Sequence, residues 1–226
     1  MIQNPLHQAL YNSFSSTYSR EESMRIKDLR HLSSLNSSFI IYSDCRNGAT
    51  TLMNNLAKRT GATYVDASDL IKGKEIEQLK SLLNERNNHL LLDEASYFLR
   101  RLEILAQPLD YFIQTTVTAR LGLRLHQSHY SLKEWFLKQN FEIIELGKIP
   151  YEDFKNGCKK EFQKVNFFLD SKYIEHAHEN YANLAESIWF IGETIRVVAE
   201  EEREPSFFEI DKNIREKYIW FELKTR

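Results

Sequence analysis

Hydrophobic positions fall into short continuous runs in the first two thirds of the chain and into helical spacing in the last third. Phe39, Ile40, Ile41 and Tyr42 form an apolar run of the kind a buried strand carries, followed by Leu52, Met53, Leu56 and Ala57 at helical spacing. Residues 62–66 predict a second strand and residues 69–84 an amphipathic helix. His89 to Leu92 then place three leucines ahead of Asp93 and Glu94, as a strand buried on both faces would. Beyond it the pattern predicts a helix over 95–106 stopped near Pro108, a strand over 111–115 ending in polar residues, a helix over 131–139 and a strand over 141–146. Pro150 marks a boundary, because proline suits a first helical turn and biases the preceding residue away from helix. Helices are predicted over 151–165, 171–181 and 182–202, and after Pro205 an aromatic-rich helix over 207–221. The expected division is an α/β core over 1–149, a helical part over 150–204 and a terminal helix over 205–226. No internal repeat or low-complexity tract interrupts this order.

The first strand and helix flank candidate chemistry. A phosphate-binding loop needs glycines where backbone N–H groups must approach phosphate oxygens, then a Lys and a hydroxyl for phosphate and metal. The register here gives Ser43, Gly48, Ala49 and Thr50. The loop shape is retained while alanine stands where the lysine belongs. Candidate nucleotide contacts are Arg46, Asn47, Gly48, Ala49, Thr50 and Thr51, and candidate Mg²⁺ contacts are Thr50 and Asp93. Glu94 is the candidate to orient or deprotonate an attacking water. Arg46 carries the same charge as the missing lysine and is its candidate replacement. Asp44 works against a triphosphate by like-charge repulsion.

These two segments resemble the AAA+ superfamily of P-loop ATPases, and within it the archaeal-type ATPases near the STAND and origin-recognition branches. Residues 43–52, SDCRNGATTL, are similar to that family's G-x-R-R-x-G-K-T-[ST]-L-L loop. Residues 92–99, LDEASYFL, are similar to its L-D-E-x-x-Y-L, and residues 18–35 look like the segment that leads into its first strand. The departures are Ser43, Asp44 and Ala49. The resemblance implies an AAA+-like parallel sheet with a small C-terminal helical lid and nucleotide between the two. It implies a sensor residue at the end of the 111–115 strand and a place for Arg196 as the lid's sensor arginine. ATP or ADP with Mg²⁺ is the implied cofactor, although a site that takes none is compatible with the missing lysine.

Charge and composition narrow the partners. A formal net charge of −2 gives no global attraction to nucleic acid. No apolar run approaches the roughly 20 residues of a membrane span. Cys45 and Cys158 are far apart, and a reduced, cytoplasmic setting is the simpler expectation. Cys45, in the phosphate loop, lies near a helix N-terminus, which lowers a thiol's pKa. His126 with His129, and His176 with His178, lack further ligands at convincing spacing and read as solvent-exposed histidines. Arg120, Arg124, His126, His129 and Lys133 form the densest basic stretch, read as a helix with one basic face, a candidate surface for DNA phosphates or an acidic partner. Arg100, Arg101, Arg120 and Arg124 are candidates to reach a neighbouring subunit, against the simpler reading of solvated arginines.

The resulting expectation is a degenerate AAA+-like module without efficient ATPase activity. It would serve as a non-hydrolysing or weakly hydrolysing subunit of a larger, DNA-linked assembly, with protein partners or further copies of itself. Two other readings stay open: an active Mg²⁺-ATPase with Arg46 in place of lysine, and a protein-interaction scaffold that binds no nucleotide.

Overall fold

A computed structural model of the chain describes residues 25–44, 46–70, 74, 77–79, 81–82, 89–96, 120–164 and 167–224, the side chains of 26, 164 and 217–224 excepted. Two compact units divide it, one over Ile26–Gly147 and one that holds the described residues from Lys148 onward.

The first unit begins with α1 (Ile26–Ser34) and β1 (Phe39–Ser43) and continues through α2 (Ala49–Thr60), β2 (Thr63–Asp66), β3 (His89–Asp93) and β4 (Arg120–His126). It closes with α3 (Lys133–Lys138) and β5 (Glu142–Leu146). The five strands are parallel and lie in the order β2-β3-β4-β1-β5. Central β1 is buried at all five positions, and β3 at four of its five, which explains their unbroken apolar runs; edge strands β2 and β5 are only partly covered.

Alternation assigns the two faces of this sheet. Phe39, Ile41 and Leu91 pack with Leu29 and Leu32 of α1 and with Leu52, Met53 and Leu56 of α2. Ile40, Tyr42, Leu90, Leu92, Leu121, Leu123 and Leu125 pack with Phe136 of α3 and with Phe141 on the other face. The chain leaves β1 toward β2 on one side and leaves β4 toward β5 on the other. The C-terminal ends of β1 and β4 therefore flank the topological switch point, where ligands bind in open parallel sheets.

β4 corrects the reading of residues 120–133 as a helix with a basic face. Leu121, Leu123 and Leu125 alternate with Arg120, Gly122, Arg124 and His126, a period of two. The leucines enter the core, while the other set faces the side covered by α1 and α2. Gly122 lies between Phe39 and Leu91, and a Cβ there would stand 2.4 Å from the Phe39 ring and 2.6 Å from Leu91. The two arginines are consequently core-facing strand residues and not solvated helix residues. The expected strand over 111–115, the helix over 95–106 beyond residue 96, Arg100, Arg101 and Cys45 lie outside the described residues.

The second unit is helical: α4 (Tyr151–Lys164), α5 (Ser171–Asn180), α6 (Leu184–Glu201) and α7 (Phe207–Lys224). Asp170 caps α5 by accepting from Lys172 N at 3.0 Å, and Asn183 caps α6 by accepting from Glu186 N at 3.0 Å. Their core joins Phe154, Cys158 and Phe162 of α4, Tyr173 and Ile174 of α5, Ile188, Ile191 and Ile195 of α6, and Ile210 and Ile214 of α7. The terminal helix thus packs within its own unit. No described helix is long and apolar enough to cross a membrane.

Candidate functional site

The described residues of the turn between β1 and α2 include two in the left-handed region, Arg46 and Gly48. Gly48 takes the left-handed conformation at φ 79° immediately before the helix, where glycine alone pays no Cβ penalty. With no side chain at that position, nothing there caps the first-turn N–H groups of α2. Ala49 is 5% exposed, packed into the α2 core where the motif calls for a lysine to emerge. Asn47 and Thr51 are buried, Thr50 is half-buried, and Arg46 is exposed in a left-handed turn at φ 67°.

Parallel pairing brings the second motif beside the first. Arg124 pairs in register with Ile41 of β1, and its neighbour Leu123 pairs with Leu92 of β3, so Arg124 and Asp93 share one row and one face. Asp93 is 0% exposed and Arg124 7% by side chain. The Arg124 guanidinium donates through Nε to Asp93 Oδ1 and through Nη2 to Glu94 Oε1. The same Nη2 lies 3.4 Å from Thr50 Oγ1 at the mouth of α2. Asp93 Oδ1 also accepts from Glu94 N at 2.9 Å, and Oδ2 accepts from Tyr64 Oη at 2.9 Å. Burial first, and the adjacent Asp93 charge second, push the Tyr64 phenol above its ordinary pKa, which keeps it a donor. Glu94 is itself left-handed at φ 49°, a strained state for a residue with a Cβ.

Thr50, Asp93 and Glu94 each place a side-chain oxygen within hydrogen-bonding reach of the Arg124 guanidinium. Arg124, a sequence candidate for a neighbouring subunit or for DNA phosphates, is buried and joins these three residues. The signal that could have found it is an arginine in phase with Gly122, opposite a leucine stripe, on a strand that must lie beside an acid-ended one.

The remaining candidates separate from this cluster. His126 Nε2 is 4.0 Å from Asp44 Oδ1, an ion pair only when the histidine is protonated. The His126 backbone N–H donates to Ser96 Oγ at 2.6 Å, fastening the end of β4 to the turn after β3. His129 is 8% exposed, and His178 shares a 2.8 Å hydrogen bond with Ile149 O, so neither is the solvent-exposed residue expected. Among the described residues no group of three or more His, Cys, Asp and Glu side chains is placed to hold a metal. Arg196 binds Glu193 Oε1 through Nε at 3.0 Å and Nη2 at 2.8 Å, and Glu200 Oε2 through Nη1 at 2.7 Å. Asn213 Nδ2 donates to the same Glu193 oxygen at 3.1 Å, joining α6 to α7.

No protein-family model and no curated protein matches the chain. Solved structures do. Domain III of the replication initiation protein DnaA from Thermotoga maritima aligns over 93% of this chain and 91% of its own, with TM-score 0.56 and 12% identity. AMPPCP-bound DnaA from Aquifex aeolicus aligns over 97% and 73%, with TM-score 0.57 and 20% identity. The Thermotoga maritima RuvB Holliday junction branch migration motor aligns over 90% and 72%, with TM-score 0.59 and 15% identity. The parallel sheet with its helices and these likenesses together give the chain the AAA+ type of P-loop α/β fold.

Proposed function

We propose that this chain is a nucleotide-binding AAA+-like module that hydrolyses ATP weakly or not at all and serves as a subunit of a larger, DNA-linked assembly. The observation that carries the reading is Ala49, buried at the first position of α2 directly after the left-handed Gly48. The Gly48 turn at the mouth of α2 would cradle phosphate, while alanine stands where a lysine would stabilise a transferring phosphoryl group. Such preorganised charge is worth several kcal/mol of barrier in sites of this class.

ATP or ADP is the ligand class that the donor set fits. First-turn N–H groups and the helix dipole of α2 favour an anion, and residues 46–51 supply the contacts expected of the loop. The carboxylate of Glu94, the candidate for handling water, accepts from Arg124 Nη2, which ties it to the buried guanidinium. The DNA link and the assembly rest on what the solved relatives are: a replication initiation protein and a branch migration motor.

Steady-state phosphate release by the full chain tests the catalytic half. The expected rate is indistinguishable from that of Glu94→Gln; a rate abolished by that substitution establishes an active ATPase and overturns the reading. Co-purification with DNA-processing proteins and a mass measurement in solution test the assembly half.

A further inference from the structure

We infer that Arg124 is the built-in cation of this site, seated where P-loop folds use a divalent metal, so that the site takes nucleotide phosphates without Mg²⁺. The inference rests on the nucleotide-site reading above and deepens it. The residues that would hold Mg²⁺, Thr50 and Asp93, do not fit that ion as they stand. Mg²⁺ demands near-octahedral oxygen ligands at about 2.0–2.1 Å. Asp93 is fully buried, and three donors already meet its carboxylate: Arg124 Nε and Glu94 N at Oδ1, and Tyr64 Oη at Oδ2. The Thr50 hydroxyl is 3.4 Å from Arg124 Nη2. A metal reaching both residues would stand against a guanidinium that no accessible pH can discharge.

Position and geometry both make this arrangement a property of the fold. Arg124 is fixed by its strand register between Ile41 and Asp93, and is not a long side chain that strayed into the site. Its planar fork spans the two successive acids, a geometry that a point-charge ammonium does not reproduce. The two departures from an active P-loop are thereby linked: the lysine is missing at Ala49, and a permanent positive charge enters from the adjacent strand.

Two measurements on the full chain test this. In the unmodified chain, equilibrium titration with ATP is expected to give affinities within about twofold with Mg²⁺ or with EDTA; a tightening of about tenfold or more by Mg²⁺, roughly 1.4 kcal/mol, overturns the inference. In nucleotide-free protein, Mn²⁺ followed by electron paramagnetic resonance is expected to find no site in the unmodified chain and a new one in Arg124→Gln that Asp93→Asn then removes. A site in the unmodified chain that depends on Asp93, or none gained by a folded Arg124→Gln, overturns it as well. The unmodified-chain arms need no variant to fold. Absence of ATP binding under either condition defeats the nucleotide reading, while the Mn²⁺ arms still decide whether Arg124 excludes metal.

Discussion

Arg124 and Asp93 illustrate how one buried pair sets the character of a site. Two charges removed from water are tolerated when each is met by hydrogen bonds, and Asp93 has three donors around it. Removing one partner strands the other. Arg124→Leu is expected to cost about 3–5 kcal/mol in chemical denaturation, and adding Asp93→Asn to recover part of it, because the uncompensated charge is then gone. Gly122→Ala is expected to cost about 1–3 kcal/mol, since its methyl would overlap the Phe39 ring and Leu91, both in the rigid core. At the other end of the sheet, burial and then Arg120 lower the His89 pKa from 6.5 to about 4. The unfolded chain therefore binds a proton between those values that the folded chain refuses, so His89 subtracts stability as pH falls through that window. His89→Leu should gain stability relative to the unmodified chain between pH 7 and pH 4.5, measured by denaturation at each pH; a difference that stays flat contradicts the assignment. Thr50, Asp93 and Glu94 stand out in the sequence as candidates because their motifs are local. Arg124 does not, because its partners lie 30 or more positions away and only strand pairing unites them.

Elements were legible in proportion to how uniform their surroundings are. Central β1 and β3 are apolar end to end because both faces are covered, and the helices of the second unit are punctuated by Pro150 and Pro205. β4 was misread because Gly122 and Arg124 sit inside it for reasons of packing and charge, which breaks the apolar run while leaving the leucine alternation intact. The α2 turn carries a prediction of its own. Ala49→Lys combined with Asp44→Gly should strengthen nucleotide affinity, since the helix mouth is already formed; a folded double variant with no ATP-dependent rise in melting temperature contradicts a preserved cradle. At the C-terminus, α7 packs through Ile210 and Ile214 while Phe208 remains 79% exposed. Ile210→Ala should therefore cost about 2–5 kcal/mol, and Phe208→Ala little, by the same denaturation assay.

For the whole molecule, the fold class followed from two motifs around a parallel strand pattern, whereas the strand order β2-β3-β4-β1-β5 emerges only from the pairing; the solved relatives share the fold at low identity. Partner and pathway do not follow in the same way, because one fold hosts many activities and specificity resides in surfaces that core patterning does not encode. The central claim is that the module keeps nucleotide while having lost the means to turn it over. Its most direct test is the melting temperature of the unmodified chain with and without ATP in the presence of EDTA. The account predicts a saturable rise, about 2.7 kcal/mol of added stability at a hundredfold excess over the dissociation constant; a melting temperature unmoved by millimolar ATP or ADP would contradict it.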